Sequence, residues 1–208
     1  MRKGRCFVVG AGDLSARGLK PGPGDMLIAA DGGYTGLQRL GFHPDLVIGD
    51  MDSFQGKVRG VPLLRFPVRK DDTDLSLAIK AGKIMGYRRF LIYGASGGAR
   101  EDHFLAALQL IAGQSQEGQR MQLTAPNYDV YALHNGSLFI PTRAGHTVSV
   151  FSHSKHSLGV TLRGLEYEAE HLHLRSGFPL GVSNQARGSH ALIGVRQGTL
   201  LIWVQTAP

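Results

Sequence analysis

The chain has 208 residues, enough for a substantial core in one large or two small domains, and its apolar (42%) and charged (19%) fractions are typical of a globular protein. The net charge of +7 suggests an anionic partner, but the basic residues are scattered and form no known nucleic-acid-binding pattern. We therefore expect a small polyanionic substrate rather than nucleic acid.

The same composition argues against membrane insertion and against export. No apolar stretch approaches the ~20 residues that cross a bilayer, and no signal peptide is expected. The single cysteine, Cys6, excludes an intramolecular disulfide and is typical of a reducing cytoplasm. Because Cys6 begins an apolar run, we expect a buried and unreactive thiol.

Residues 1–125 predict strands alternating with helices, which is typical of a parallel sheet with covering helices. Apolar runs followed by glycine or aspartate predict strands at 5–9, 25–30, 46–48 and 89–93, and a further strand is predicted at 63–68. Apolar periodicity predicts helices at 35–40, 74–85 and 101–112. Thr73 is expected to cap the second helix. The apolar face of the second helix should comprise Leu77, Ala78, Ala81, Ile84 and Met85. The apolar face of the third helix should comprise Phe104, Leu105, Leu108 and Ile111.

Residues 126–208 lack helical periodicity and show short alternating runs instead. These runs predict strands at 147–151, 159–163, 169–174 and 190–204, with turns at Asn135-Gly136 and Gln197-Gly198. The fold class expected is therefore α/β plus all-β: a parallel-sheet α/β domain over 1–125, followed by a small β-sandwich over 126–208.

Four aspartates follow predicted strands or begin a predicted helix. Asp31 follows the second strand, Asp50 and Asp52 follow the third, and Asp74 starts the second helix. Ligands of open parallel sheets bind at the carboxyl ends of the strands, and carboxylate oxygens suit Mg²⁺ beside phosphate. We expect a metal-phosphate site here. A simpler interpretation makes Asp31-Gly32-Gly33 a turn, and Asp71, Asp72 and Asp74 charges that favour a helix N-terminus.

A glycine-rich loop, Gly94 to Gly98, joins a predicted strand to a predicted helix. Backbone N–H groups and the helix dipole suit a phosphate there, although no P-loop lysine follows. Arg100 could clamp phosphate oxygens, Asp102 could orient a donor, and His103 could contact phosphate, transfer a proton or be an ordinary helix residue. His171 and His173 would share one face of a strand, which permits a metal pair, but exposure to solvent is the favoured interpretation.

Six segments taken in order resemble the thiamine pyrophosphokinase family. The first half contributes Asp31-Gly-Gly33, Pro44-Asp-Leu-Val-Ile-Gly-Asp-Met-Asp-Ser53, Lys70-Asp-Asp-Thr-Asp-Leu75 and Gly94-Ala-Ser-Gly-Gly-Ala-Arg-Glu-Asp-His103. The second half contributes Gly164-Leu-Glu-Tyr167 and Gly181-Val-Ser-Asn184. Each segment alone is weak, but their order and spacing make the combination specific.

The resemblance implies transfer of a pyrophosphoryl group from ATP to the hydroxyl of thiamine, with Mg²⁺, in a homodimer whose thiamine site lies at the subunit interface. By position, Asp31, Asp50, Asp52 and Asp74 would hold the metal and the phosphates. The nucleotide side would be lined by Lys70, Asp71, Thr73, Arg100 and Asp102, together with Gly32, Gly33, Gly97, Gly98 and His103. Ser183 and Asn184 would approach thiamine. The catalytic set would be Asp50, Asp52, Asp71, Asp74, Arg100 and Asp102, with either Asp71 or Asp102 as acceptor of the hydroxyl proton.

The sequence departs from the family pattern at two positions, and two alternative functions stay open. Ala99 lengthens the glycine loop by one residue, which affects the placement of Arg100, and Glu166 stands where the family often has lysine. The alternatives are a pyrophosphokinase for another acceptor, such as a hydroxymethylpterin, and a non-catalytic protein that binds nucleotides or nucleic acid.

Overall fold

The computed structural model describes residues 2–50, 58–67, 71–97 and 100–207. Two compact units are present: an N-terminal unit, Met1–Ala107 with Leu123–Ala125, and a C-terminal unit, Leu108–Gln122 with Pro126–Pro208. The described residues form three helices: α1 (Gly33–Arg39), α2 (Asp74–Ile84) and α3 (Glu101–Gln116). No helix in this part of the chain is long and apolar enough to cross a membrane.

A parallel sheet with the strand order β5-β1-β2-β3-β4 forms the centre of the N-terminal unit. Its strands are β1 (Cys6–Val9), β2 (Met26–Ala30), β3 (Leu46–Gly49), β4 (Leu63–Arg65) and β5 (Arg89–Tyr93). The middle strands are buried along almost their whole length, because both faces of a parallel sheet are covered. The parallel pairing predicted from the strand-helix alternation is confirmed.

Cys6 has the environment that the sequence predicted. It lies in β1 as a buried, free thiol. Burial, with a smaller contribution from Asp45, raises the pKa of the Cys6 thiol to about 12. The thiol therefore stays protonated, which is the unreactive form.

Helix α2 packs through only part of the face that periodicity predicted. Its buried residues are Ala78, Ile79 and Gly82, whereas Ile84 is 87% exposed. A Cβ at Gly82 would lie 2.7 Å from Phe90 Cε1 and 2.8 Å from Cys6 Sγ. The helix therefore approaches the sheet closely at Gly82, and Ile84 and Met85, which are exposed, were wrongly assigned to the packed face. In α3, likewise, Ile111 is buried but Leu105 is 60% exposed.

The C-terminal unit is built from antiparallel pairs around one long strand. β12 (His190–Gln205) pairs with β7 (Tyr128–Pro141), β8 (Thr147–Ser152) and β9 (His156–Arg163). β10 (Ala169–Arg175) extends the sheet from β9, and β11 (Asn184–Gln185) pairs with β8. A separate apolar core, which includes Ile140, Val150, Leu162 and Ile193, lies within this unit.

The two predicted turns of this unit are bulges inside strands, so the prediction of turns was wrong. Asn135-Gly136 lies within β7 and Gln197-Gly198 within β12, where the register shifts between Val195 and Thr199. Asn135 Oδ1 accepts a hydrogen bond from the Gly198 N–H at 2.8 Å, which joins the two irregular segments. The strands continue through the bulges because extra residues can be absorbed without ending the ladder.

Three strands were not predicted: β6 (Arg120–Thr124), β7 and β11. The chain as described is a β-rich α/β fold with parallel and antiparallel strand pairs and few helices. The expected boundary at 125/126, with a separate role for each domain, stays a prediction.

Candidate functional site

Three of the four predicted carboxylates come together in the N-terminal unit. Asp31 directly follows β2, Asp50 directly follows β3 and Asp74 is the first residue of α2. One carboxylate oxygen from each lies within 4.8 Å of the others, and all three residues are half-buried. β2 and β3 are parallel neighbours, so their carboxyl ends meet at one edge of the sheet. We call these residues the carboxylate cluster.

Backbone contacts between the ends of β2 and β3 position Asp31. Its N–H donates to Ile48 O at 2.7 Å, and its φ of +46° turns the chain into α1, where the Tyr34 N–H donates to Asp31 O. A Cβ at Gly49 would lie 3.0 Å from Asp31 Cα. Glycine at position 49 therefore lets the two strand ends approach closely. Gly32 and Gly33, expected on the nucleotide side, lie at the start of α1 directly after Asp31.

The start of α2 separates the acids that the sequence could not distinguish. Thr73 caps the helix, as predicted, because its Oγ1 accepts from the Ser76 N–H at 3.1 Å. Asp72 forms an ion pair with Lys80 (Nζ–Oδ1 2.7 Å) and accepts from Ser76 Oγ. The hydrogen bond from Lys80 lowers the pKa of Asp72. Asp72 thus stabilises the helix start, as the simpler interpretation proposed, whereas Asp74 belongs to the carboxylate cluster.

The glycine-rich loop after β5 is bonded to the loop after β1. The N–H groups of Gly10, Gly12 and Asp13 donate to the carbonyls of Tyr93, Gly94 and Ser96 at 2.7–2.8 Å. A Cβ at Gly94 would lie 2.3 Å from Gly10 O, so the close contact of the loops requires glycine there. Sequence reasoning did not predict this pairing, although both strands end in a glycine turn. Phosphate binding by the loop, including Gly97, stays a prediction.

Arg100 and Asp102 form a two-point ion pair at the start of α3. Arg100 Nε lies 3.0 Å from Asp102 Oδ1, and Nη2 lies 2.8 Å from Oδ2. The hydrogen bonds from Arg100 lower the pKa of Asp102 to about 2, and the pKa of Arg100 is raised in turn. Both side chains are exposed, so the pair lies where solvent and ligands have access. The His103 N–H donates to Arg100 O, and His103 itself is exposed.

Ser183 and Asn184 lie in the C-terminal unit in different environments. Asn184 is 7% exposed. Its Oδ1 accepts from the N–H groups of Tyr167 (3.0 Å) and Gln185 (2.9 Å), and its Nδ2 donates to Tyr167 O (2.8 Å). Ser183 is exposed, with φ +60°, and its N–H donates to Ser149 Oγ at 3.0 Å. Asn184 therefore fixes the backbone of Tyr167, whereas Ser183 faces solvent.

Three of the expected site residues, Asp52, Lys70 and Gly98, lie outside the described residues, as does Ala99. Asp71 is described and exposed, three residues before Asp74. The roles carried over for all these residues stay predictions.

Comparisons with known proteins match two parts of the chain to one family. Residues 23–123 match the catalytic domain of thiamin pyrophosphokinase, and residues 137–200 match its vitamin B1 binding domain. The thiamine pyrophosphokinase of Bacillus subtilis is 26% identical over 182 residues, which is 84% of this chain and 85% of that protein.

Solved structures of thiamin pyrophosphokinases share the fold. The Bacillus subtilis structure has a TM-score of 0.85 at 23% identity and covers 97% of this chain and 99% of its own. The Geobacillus thermodenitrificans structure has a TM-score of 0.83 at 22% identity, with 97% of each chain covered. The yeast structure has a TM-score of 0.75 at 13% identity, with 99% of this chain and 87% of its own covered. With both domain models of the family matched in order, the chain belongs to the thiamin pyrophosphokinase family.

Proposed function

We propose that this enzyme, which uses ATP to convert thiamine to thiamine diphosphate and AMP, carries out the transfer at the carboxylate cluster with Mg²⁺. The observation that carries the proposal is the convergence of Asp31, Asp50 and Asp74 within 4.8 Å. The family assignment favours thiamine over a hydroxymethylpterin as acceptor, and catalysis over binding alone.

The donor set of the carboxylate cluster fits Mg²⁺. Mg²⁺ binds hard oxygen ligands at about 2.0–2.1 Å, so two ligands of one ion lie roughly 3–4 Å apart. That spacing is compatible with three oxygens that lie within 4.8 Å of one another. Acids so close to each other repel, and a cation offsets the repulsion. When bound, Mg²⁺ would neutralise negative charge on the polyphosphate and on the transferred group.

Positioning is the main task of the remaining residues, because phosphoryl-type transfer needs little covalent help from the protein. Arg100 carries two N–H donors that can exchange Asp102 for phosphate oxygens, since both side chains are exposed. Asp71 and Asp102 are both candidates for the group that accepts the thiamine hydroxyl proton.

The division of labour between domains is also part of the proposal. Residues 1–125 would bind ATP and Mg²⁺, and residues 126–208, as a β-sandwich, would contribute Ser183 to the thiamine site. The support is the position of the two family matches, 23–123 and 137–200, on either side of that boundary. A cytoplasmic homodimer with the active site at the subunit interface completes the proposal, and light scattering of the purified protein tests the dimer.

The test compares two acids of the same helix start. Asp74→Asn should lower kcat by roughly 10²-fold or more, because one member of the carboxylate cluster loses its charge. Asp72→Asn is the matched control: it breaks only the pair with Lys80, so turnover should stay within about twofold of wild type. AMP and thiamine diphosphate would be measured against Mg²⁺ concentration.

Two results would overturn parts of the proposal. Near-normal turnover of Asp74→Asn would refute the assignment of Asp74 to the Mg²⁺ site, provided that thermal unfolding shows an intact fold. Release of AMP with a hydroxymethylpterin but not with thiamine would overturn the acceptor.

A further inference from the structure

Two histidines from neighbouring strands contact each other in the C-terminal unit. His156 begins β9 and His173 lies near the end of β10. His156 Nδ1 lies 3.0 Å from His173 Nε2, and the ring centroids are 5.1 Å apart with 43° between the planes. Both residues are exposed. The pair is remote in sequence from the carboxylate cluster and has no part in the proposed transfer.

The pairing of β9 with β10 and the buried neighbours of the two histidines hold their backbone in place. β9 and β10 are antiparallel, with Ser157 paired to Leu174 and His156 paired to Arg175. Ser157 (0% exposed) and Leu174 (2%) point into the core, so the adjacent histidines point to the opposite, solvent face. Ser157 Oγ also lies 2.7 Å from Ser152 Oγ and donates to Thr199 O at 3.3 Å. The facing nitrogens are therefore carried by anchored backbone.

We propose that His156 and His173 form a binding site for a late first-row divalent cation, with Zn²⁺ as the reference ion. Imidazole nitrogen is a preferred ligand of Zn²⁺, Cu²⁺ and Ni²⁺, whereas Mg²⁺ prefers oxygen. With metal–nitrogen bonds of about 2.0–2.1 Å, two ligands lie about 3.3–3.4 Å apart in a tetrahedral site and about 2.8–3.0 Å apart at adjacent positions of a square-planar one. The separation of 3.0 Å is close to the square-planar value and shorter than the tetrahedral one. The ion would lie off the line that joins the two nitrogens, so each ring must also turn by about 35–45° to point its lone pair at the ion.

Binding needs no net loss of protons from two neutral rings. In the hydrogen bond, the N–H of one ring donates to the lone pair of the facing nitrogen of the other ring. When that ring carries its proton on its other nitrogen instead, both facing nitrogens present lone pairs to the cation. The cation then replaces the shared proton, and water completes its coordination because the site is open.

The charged neighbours leave the pair accessible. The guanidinium of Arg175, the strand partner of His156, lies over the Phe178 ring at 5.9 Å. Glu170, in the same strand as His173, forms an ion pair with Arg163, so its carboxylate already has a partner. His171 is exposed two residues from His173, but with φ +56° it departs from regular strand geometry. The site is therefore assigned two protein ligands.

Calorimetric titration of the full chain with Zn²⁺, in excess Mg²⁺, tests the assignment. Wild type should bind Zn²⁺ at a site that His156→Gln and His173→Gln each remove or weaken about tenfold or more. His171→Gln and His43→Gln are controls from the same strand and from the N-terminal unit, both exposed, and should retain the site. Zn²⁺ should raise the midpoint of thermal unfolding in wild type and in the controls, but not in the first two variants.

Three results would overturn the proposal: no Zn²⁺ binding by wild type, unchanged isotherms for His156→Gln and His173→Gln, or an equal loss in His171→Gln. The unfolding midpoint without metal shows whether each variant is folded. Because thiamine diphosphate formation is measured separately, failure of this site leaves the proposed function unaffected.

Discussion

Ser183 and Asn184 are adjacent, and the resemblance places both near thiamine, yet the structure predicts opposite effects of their removal. The Asn184 side chain makes three hydrogen bonds, two to the backbone of Tyr167 and one to the N–H of Gln185. Each neutral hydrogen bond contributes about 0.5–1.5 kcal/mol, and a buried polar group left without a partner costs about 1–3 kcal/mol. Asn184→Ala should therefore lower the free energy of unfolding by about 2–4 kcal/mol.

Ser183→Ala should leave stability almost unchanged. The residue is exposed, and its N–H bond to Ser149 Oγ survives the substitution. We expect a change in the free energy of unfolding within about 0.5 kcal/mol. The KM for thiamine should rise and the KM for ATP should not, because the proposed role of Ser183 is confined to the acceptor.

Urea unfolding followed by circular dichroism measures the first quantity, and steady-state kinetics with each substrate varied measures the second. Gln185→Ala is the control for a neighbouring exposed side chain, since it keeps the backbone N–H that Asn184 binds. If Asn184→Ala were as stable as wild type and only its KM for thiamine rose, the amide would be a thiamine ligand and the structural role argued above would be refuted.

Three further predictions concern single groups. Arg100→Gln should raise the pKa of Asp102 from about 2 toward the ordinary 3.8, as measured by NMR titration, and an unchanged titration would contradict the pairing. Because the pKa of Asp102 is lower in the folded state than in the unfolded state, the pair stabilises the fold above a pH of about 4, and this contribution is lost as the pH falls toward 2. Gly94→Ala should destabilise the protein by about 2–4 kcal/mol in urea unfolding, because the added methyl would lie 2.3 Å from a backbone oxygen, whereas Gly22→Ala, with nothing within 4 Å, should stay within about 0.5 kcal/mol of wild type. Cys6 should react with a thiol reagent only after unfolding, because burial raises its pKa to about 12; rapid labelling of the folded protein would show that the strand opens.

Most strands of the N-terminal unit were predictable because their apolar runs end at a local signal, whereas the strand predicted at 63–68 has no such signal and β4 ends at Arg65. Cys6–Val9 and Arg89–Tyr93 are both followed by glycine, and the Thr73 side chain, which accepts from the Ser76 N–H, marks the start of α2. The C-terminal unit was harder, since Asn135-Gly136 has the sequence of a turn but lies within a strand. Asn135 accepts a hydrogen bond from the N–H of Gly198, which is 63 residues away, and no local sequence pattern predicts this contact.

Helix faces were the least predictable feature. Periodicity placed Ile84 against the sheet, but the packed position is Gly82, where a side chain would collide with Phe90 and Cys6. Hydrophobicity measures the tendency of one side chain to leave water, whereas packing depends on the space that the facing strand leaves. Gly82 thus allows a close approach of the helix to the sheet that a larger residue at this position would prevent.

The sequence by itself determined the family, the parallel sheet and the three described acids that follow β2, follow β3 and begin α2, because strand alternation brings such positions to one edge. Only the tertiary structure decided which side chains do which work: Asp74 joins the carboxylate cluster while Asp72 pairs with Lys80, and Asn184 binds the backbone of Tyr167. The physical reason is that periodicity and capping are local properties of the backbone, whereas a hydrogen-bond partner depends on which distant residues the fold brings within about 3 Å.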